Sequence, residues 1–199
     1  MLGIVPIVEG KGEVEAVPVL LRRILIDMGI FNIKILRPFR VPRHQIVREG
    51  QMERAARQAV RSRGREVAAL LVILDCDDDC PARLGPELHK RCRDAVPNIP
   101  VGVVLARREF ESWFLGAKES LRGKRGIRND APNPENPEEI RGAKEHLERN
   151  MKQGVSYLPV DDQPALAAEM DLNMARRRCP SFDKLVREVQ SLVSRMRKD

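Results

Sequence analysis

The chain of 199 residues is poor in aromatic side chains, histidine and cysteine, and each shortage excludes a class of protein. Aromatic residues make up only 4 %, so the core must consist mainly of Leu, Val, Ile, Ala and Met. The three histidines, His44, His89 and His146, are scattered and predict no catalytic dyad, which disfavours histidine-based hydrolysis. The four cysteines contain no CxxC pair, and no set of Cys and His has zinc-site spacing.

The sequence also lacks any segment expected to direct export or cross a membrane. No run of about eighteen apolar residues occurs, which is the length that a spanning helix requires. The amino terminus has no basic region, and Pro6 interrupts its apolar stretch, which argues against a signal peptide. Because the thiols are expected to be free, we predict a cytoplasmic protein with no membrane partner.

Charge is abundant and unevenly distributed. Charged residues make up 33 % of the chain, and 36 basic against 29 acidic residues give a net charge of +7. The acids are nevertheless concentrated in a few short segments. A positive protein with local acidic clusters suits a polyanionic substrate, such as nucleic acid, held over a metal site.

Hydrophobic patterning predicts strands that alternate with helices in the first half of the chain. This order predicts an α/β fold with a mostly parallel, Rossmann-like sheet and helices on both faces. The predicted strands are residues 2–8, 31–36, 68–74 and 101–105, with helices over 15–28, 50–63 and 84–95 between them.

No further strands are predicted beyond Arg107. Helices are expected over residues 110–121, 138–151, 164–171 and 181–196, with Ser181 capping the last of them. We therefore predict an α/β core over residues 1–121. Residues 122–199 are expected to form a loop and a helical annex that packs on this core as a single compact unit.

Four aspartates crowd the end of the third predicted strand: Asp75, Asp77, Asp78 and Asp79. Open α/β sheets place ligands at the carboxyl ends of their strands. Four like charges repel one another unless a cation offsets them, and a hard cation suits oxygen ligands, with Mg²⁺ or Mn²⁺ ahead of Ca²⁺. The alternative is an Asp-rich, solvated turn that merely ends the strand.

Glu9 follows the first predicted strand and is the natural partner of these aspartates. Asp75 and Asp77 have i, i+2 spacing, which points both side chains to one side of an extended segment. If the first and third strands are neighbours, the three carboxylates converge and can hold one Mg²⁺. Alternatively, Glu9 is a turn residue beside a helix amino terminus.

The turn that contains Gly10 and Gly12 lacks the patterns of known phosphate-binding loops, so a P-loop NTPase is not indicated. The two glycines are expected to allow backbone angles that other residues resist. Lys11 between them could touch a phosphate, although a lysine in a loop is more often solvated.

A third acidic group, Glu109 and Glu111, follows the fourth predicted strand. One of the two glutamates could reach the metal site as an accessory acid. The alternative is an acidic helix start, where a negative side chain interacts favourably with the helix dipole. The residues themselves do not decide which glutamate is involved.

Arginines leave the second and fourth predicted strands towards the same edge of the sheet. Guanidinium groups bind phosphate oxygens in pairs, so these residues are candidates for nucleic-acid binding, together with Lys11. A solvated basic surface is the alternative. The arginines are Arg37, Arg40, Arg43, Arg107 and Arg108.

These motifs, in this order, resemble a TOPRIM fold, the family of primases, topoisomerases and OLD-type nucleases. They are most similar to the small stand-alone branch described as domain of unknown function 4276 (DUF4276). The resemblance covers nearly the whole chain. It is carried by Val8-Glu9-Gly10 with Glu13, Leu74-Asp75-x-Asp77, Glu109-Phe110-Glu111-x-Trp113-Phe114, and a trailing segment around Lys144, Tyr157 and Cys179-Pro180-Ser181-Phe182.

The resemblance implies a Mg²⁺- or Mn²⁺-dependent site that acts on phosphodiesters. Asp75 and Asp77 would bind the metal, with Glu109 or Glu111 as an accessory acid. Glu9 would be the acid–base residue or a ligand of a second metal, and Glu13 would join Glu9 and Glu111 among the catalytic residues.

The leading hypothesis is therefore a metal-dependent nuclease that acts on RNA or DNA. Members of this branch are associated with prokaryotic defence, often beside an ATPase, so an ATPase partner is also expected. Two alternatives stay open: a non-catalytic module that binds nucleic acid or an ATPase partner, and a small-molecule phosphatase.

Overall fold

A computed structural model describes residues 2–46 and 48–196 and shows a parallel sheet. The strands are β1 (Gly3–Val8), β2 (Lys34–Ile35), β3 (Phe39–Arg40), β4 (Val67–Asp75) and β5 (Val101–Ala106). Their order is β2-β1-β4-β5, with β3 also pairing with β1, and every pairing is parallel. The predicted α/β class with a parallel sheet is confirmed.

Helices cover both faces of the sheet, so its central strands are buried on both sides. Alternate side chains of β4 enter two hydrophobic clusters: Leu71 and Ile73 face one, and Leu70 and Val72 face the other. The helices are α1 (Lys11–Asp27), α2 (Arg43–Ile46), α3 (Gln51–Arg61), α4 (Pro81–Ala95), α5 (Ser112–Gly116), α6 (Lys118–Leu121), α7 (Ala143–Arg149), α8 (Pro159–Glu169), α9 (Leu172–Arg178) and α10 (Pro180–Met196).

The carboxyl-terminal helices pack on the α/β core. Residues of α1, such as Leu20 and Leu25, share one hydrophobic cluster with Leu166 of α8 and Leu185 of α10. The opposite face of the sheet is covered by α3 and α4. This packing joins the two predicted segments, while the boundary at residue 121 stays a prediction. None of the described helices is long and apolar enough to cross a membrane.

Several predicted elements differ from the structure. The strand expected over residues 31–36 is reduced to β2, and β3 adds a second short strand that was not predicted. Helix α1 begins at Lys11 and contains Pro18, although proline removes a helical hydrogen bond. The helix expected over 110–121 is split into α5 and α6, and α9 was not predicted.

Two predictions for the carboxyl-terminal part were also wrong. The helix expected over 138–151 is a 3₁₀ turn, Pro137–Glu139, followed by the shorter α7. Ser181 does not cap the last helix, because α10 already begins at Pro180. Its hydroxyl instead accepts a hydrogen bond from Trp113 Nε1 at 2.8 Å and bonds to the carboxylate of Glu138.

Candidate metal site at the carboxyl edge of the sheet

Three carboxylates meet where β1 and β4 end. Glu9 directly follows β1, Asp75 is the last residue of β4, and Glu13 lies in the first turn of α1. One oxygen from each lies within 4.8 Å of the other two. Because β1 and β4 are paired in parallel, their carboxyl ends lie at the same edge. Glu9 and Asp75 therefore converge as predicted, and Glu13 completes the group.

Backbone hydrogen bonds hold two of these carboxylates in place. The N–H of Phe110 donates to Asp75 Oδ1 at 2.7 Å, and the N–H of Glu9 donates to Glu13 Oε2 at 3.3 Å. Such bonds to ligand oxygens fix their orientation, as in metal sites generally. The carboxylates are thus positioned before any ligand binds.

The two glycines of the turn provide space rather than unusual backbone angles. Gly10 has an ordinary φ of −87°, which corrects the expectation drawn from the sequence. A Cβ at Gly10 would crowd the carboxylate of Glu13, and one at Gly12 would overlap the carbonyl oxygen of Pro159 and the side chain of Gln163. Gly12 is therefore needed for the close approach of α1 to α8, whereas Gly10 leaves room for the carboxylate of Glu13.

No basic side chain within residues 2–46 and 48–196 forms an ion pair with the carboxyl groups of Glu9, Glu13 and Asp75, so the folded protein disfavours their ionised forms. Burial and then the charge of Glu9 raise the pKa of Glu13 to about 8. Burial, with Glu13 and Glu9, also raises the pKa of Asp75 well above its ordinary value. A bound cation would favour the ionised carboxylates and so offset the effect of burial on their pKa values.

Glu9 is the most accessible member of the group, and nearby basic residues act on its carboxylate. Burial raises its pKa, while the nearby positive charges of Arg43 and Lys144 act in the opposite direction. Its Oε2 atom is buried and has no hydrogen-bond partner. An unpartnered buried carboxylate oxygen is costly unless a ligand completes it.

Glu111 lies fully buried beside this group. Its Oε1 accepts hydrogen bonds from Gln163 Nε2 at 2.8 Å and from the Tyr157 hydroxyl at 3.2 Å, whereas its Oε2 has no partner. Burial raises the pKa of Glu111, while Lys144 and Gln163 lower it. Of the two glutamates after β5, Glu111 is therefore the one that the fold directs inward.

Lys144 brings a positive charge from the annex towards the acidic group. Partial burial lowers its pKa, but Glu111, Asp75, Glu109 and Glu13 together raise it above the ordinary value. We did not predict this residue as part of the site, although it belongs to the segment that carries the family resemblance.

Tyr157 and Gln163 were also missed. Tyr157 lies in the same trailing segment as Lys144, so the resemblance contained a signal for it. Gln163 lies in α8 and had no signal, because its role depends on how α8 packs against α1.

Asp77 lies outside the group of three carboxylates. The strand ends at Asp75, and Asp77 has a left-handed backbone with φ 49°. The alternation of side chains along a strand therefore does not apply to Asp77. The i, i+2 spacing that was used to place Asp77 on the same side as Asp75 is not a valid argument here. Its side chain is 58 % exposed and faces Arg43, with 3.6 Å between Oδ2 and Nε. A role for Asp77 as a metal ligand stays a prediction.

Glu109 contacts the annex. Its carboxylate accepts hydrogen bonds from the N–H groups of Ala143 at 3.1 Å and Lys144 at 3.4 Å, at the amino terminus of α7. Glu109 therefore interacts with the amino terminus of α7, and not with that of α5, the helix that follows it in the chain. An accessory metal role for Glu109 stays a prediction.

The predicted basic residues separate into two sets. Arg43 and Arg108 contact the aspartates after β4, and Arg40 donates from Nε to the Glu9 carbonyl oxygen at 3.1 Å. The others lie further out: Arg107 pairs with Glu139 at 3.3 Å, and Arg37 and Lys11 are exposed. A role for any of them in nucleic-acid binding stays a prediction.

The fold and the site define an α/β protein whose parallel sheet carries, at its carboxyl edge, an acidic group that could hold a metal ion. Residues 8–190 match the family model described as "Domain of unknown function (DUF4276)", and the chain belongs to this family. No curated protein and no solved structure matches the chain significantly.

Proposed function

We propose that the protein is a Mg²⁺- or Mn²⁺-dependent nuclease that hydrolyses phosphodiester bonds in RNA or DNA. The observation that carries this proposal is the convergence of Glu9, Glu13 and Asp75 within 4.8 Å at the carboxyl edge of the sheet. The resemblance of the sequence motifs to those of TOPRIM nucleases supports the same activity. An ATPase partner and a role in prokaryotic defence stay predictions from that resemblance.

The residues fit a hard divalent cation. All the donors are carboxylate oxygens, which Mg²⁺ and Mn²⁺ prefer, and no thiol or imidazole belongs to the group. Two buried oxygens, Oε2 of Glu9 and Oε2 of Glu111, have no partner. Glu9, Glu13 and Asp75 would hold the cation, and Asp77 is the further ligand that the sequence suggests.

When bound, a divalent cation polarises the scissile phosphate and lowers the pKa of a water molecule. The protein's own groups supply orientation and proton transfer. The Phe110 N–H fixes Asp75, while Tyr157 and Gln163 hold Glu111. Glu9 is only partly buried, so it is placed to accept a proton from water and pass it to solvent.

The charge around the site supports a nucleic-acid substrate. The chain has a net charge of +7, and Arg43, Arg108 and Arg141 surround the acidic loop after β4. A phosphodiester chain carries one negative charge per nucleotide and can contact several of these arginines at once. A nucleic acid therefore matches this surface better than a single small phosphate ester does.

The proposal is tested with labelled RNA and DNA, incubated with the purified protein and Mg²⁺, Mn²⁺ or EDTA. We expect metal-dependent cleavage that Glu9→Gln and Asp75→Asn abolish. Glu15→Gln is the matched control, because Glu15 lies on the same helix as Glu13 but is exposed and outside the carboxylate group. Melting temperatures establish that each variant is folded.

Absence of metal-dependent cleavage, or cleavage by Asp75→Asn at the wild-type rate, would contradict the proposal. Salt-sensitive binding that survives loss of the acids, without any cleavage, would instead favour a non-catalytic binding module.

A further inference from the structure

The aspartates after β4 that lie outside the carboxylate group are engaged by arginines from three separate segments. Arg43, at the start of α2, pairs through Nη2 with Asp79. Arg108, after β5, pairs through Nη1 with Asp78. Arg141, in the loop before α7, also contacts Asp78, with 2.8 Å from Nη2 to Oδ1 and 3.2 Å from Nη1 to Oδ2.

Arg43 contacts the candidate metal site directly, whereas Arg108 and Arg141 contact the aspartate loop that begins at this site. Arg43 donates from Nη1 to the backbone oxygen of Asp75, and its charge acts on Glu9. Arg108 and Arg141 line a cavity of about 190 Å³. A phosphodiester chain bound over the loop after β4 would therefore meet these guanidinium groups.

The loops that carry the aspartates and Arg108 are held together in an unusual backbone conformation. The Cys76 N–H donates to the Ala106 carbonyl at 2.8 Å, and the Asp77 N–H donates to the Arg108 carbonyl at 3.0 Å. Asp77 and Arg108 both have a positive φ, of 49° and 64°. Such strain persists only where the surroundings enforce it, and it is concentrated at functional sites.

The two sides of these ion pairs differ in how firmly the protein holds them. The side chains of Arg43 and Arg108 are only 20 % and 18 % exposed, whereas those of Asp78 and Asp79 are 67 % and 54 % exposed. Arg141 is the exception, since its side chain is 72 % exposed. Exposed ion pairs contribute little stability, so a competing anion can replace the aspartates at little cost. Phosphate oxygens match the guanidinium fork well.

We propose that Asp78 and Asp79 are internal counter-anions, which occupy the three arginines until the phosphates of a nucleic-acid strand displace them. The ion pairs then restrain binding of weak or short polyanions and keep the arginines oriented towards the site. This inference rests on the proposed nucleic-acid substrate, but it concerns binding and needs no catalysis.

The test measures binding of a short fluorescent oligonucleotide by anisotropy in EDTA, so that no cleavage occurs. Asp78→Asn frees Arg108 and Arg141, and we expect roughly threefold to tenfold tighter binding, from two weak ion pairs lost. Asp183→Asn is the matched control, because Asp183 of α10 also joins two arginines, Arg176 of α9 and Arg187 of α10. It changes the net charge equally and should leave the affinity nearly unchanged.

A double-mutant cycle makes the test specific. Arg141→Ala should weaken binding, and more strongly in the Asp78→Asn background, because there Arg141 no longer has to leave an aspartate before it binds a phosphate. Arg141 is largely exposed, so its replacement should not disturb folding.

Unchanged or weaker binding by Asp78→Asn would overturn the inference, as would equal tightening by Asp183→Asn or no measurable binding by any variant. Tighter binding by Asp78→Asn without Mg²⁺-dependent cleavage would support the inference and contradict the proposed nuclease. Mg²⁺-dependent cleavage without tighter binding by Asp78→Asn would support the proposed nuclease and contradict the inference.

Discussion

The burial of uncompensated carboxyl groups predicts that the metal-free protein loses stability as the pH rises. Glu13 has a pKa of about 8 in the folded protein against an ordinary value of 4.5. Between these values the folded state keeps a proton that the unfolded state has lost. The folded state therefore binds more protons, and the free energy of unfolding falls with increasing pH.

The size of the effect follows from the width of this window. A separation of about 3.5 pH units corresponds to about 5 kcal/mol, at about 1.4 kcal/mol for each unit. Burial and the neighbouring carboxylates also raise the pKa values of Glu9 and Asp75, so these groups act in the same direction as Glu13. His146, with a lowered pKa, acts in the opposite direction below its ordinary value.

Urea unfolding in EDTA from pH 5 to pH 8.5 measures this effect. We expect a decrease of several kcal/mol for the wild type across about that range and a smaller decrease for Glu13→Gln, in which burial still raises the pKa of Asp75. Comparison of the two proteins cancels the contribution of His146, and Glu15→Gln should behave as the wild type. Mg²⁺ or Mn²⁺ at high pH should restore stability to the wild type but not to Glu13→Gln. Constant or rising wild-type stability in EDTA would refute the reasoning.

Three other substitutions test separate contacts of the site. Gly12→Ala should destabilise the protein by about 1–3 kcal/mol in urea unfolding, because its Cβ would overlap α8, whereas Gly85→Ala, with ordinary contacts, should be neutral or stabilising. Tyr157→Phe should cost about 1 kcal/mol and reduce metal-dependent cleavage, and an unchanged variant would contradict its role. Lys144→Met should tighten Mn²⁺ binding severalfold in calorimetry, because it removes a competing cation, while the exposed Lys152→Met should not.

The sheet and the convergence of Glu9 with Asp75 were predictable because they depend on local patterns. Unbroken apolar runs identified β1, β4 and β5, and the rule that parallel strands end at one edge brought their carboxylates together. The short strands β2 and β3 were not predictable in detail, since each forms only two residue pairs with β1 and depends on its position beside that strand.

The remaining site residues depend on contacts that a linear pattern does not contain. The i, i+2 spacing did not predict the direction of the Asp77 side chain, because the strand ends two residues earlier and Asp77 has a left-handed backbone conformation. Gln163 reaches Glu111 from a helix 52 positions further along the chain, and Arg141 reaches Asp78 across 63 positions. Both contacts arise from packing of the annex on the sheet.

The central claim is that Glu9, Glu13 and Asp75 form a divalent metal site. Crystals soaked in Mn²⁺ and measured near the manganese absorption edge test it most directly. We expect an anomalous peak between these three carboxylates, lost in crystals of Glu13→Gln. A peak only beside Asp78 and Glu109, or none at saturating Mn²⁺, would contradict the account.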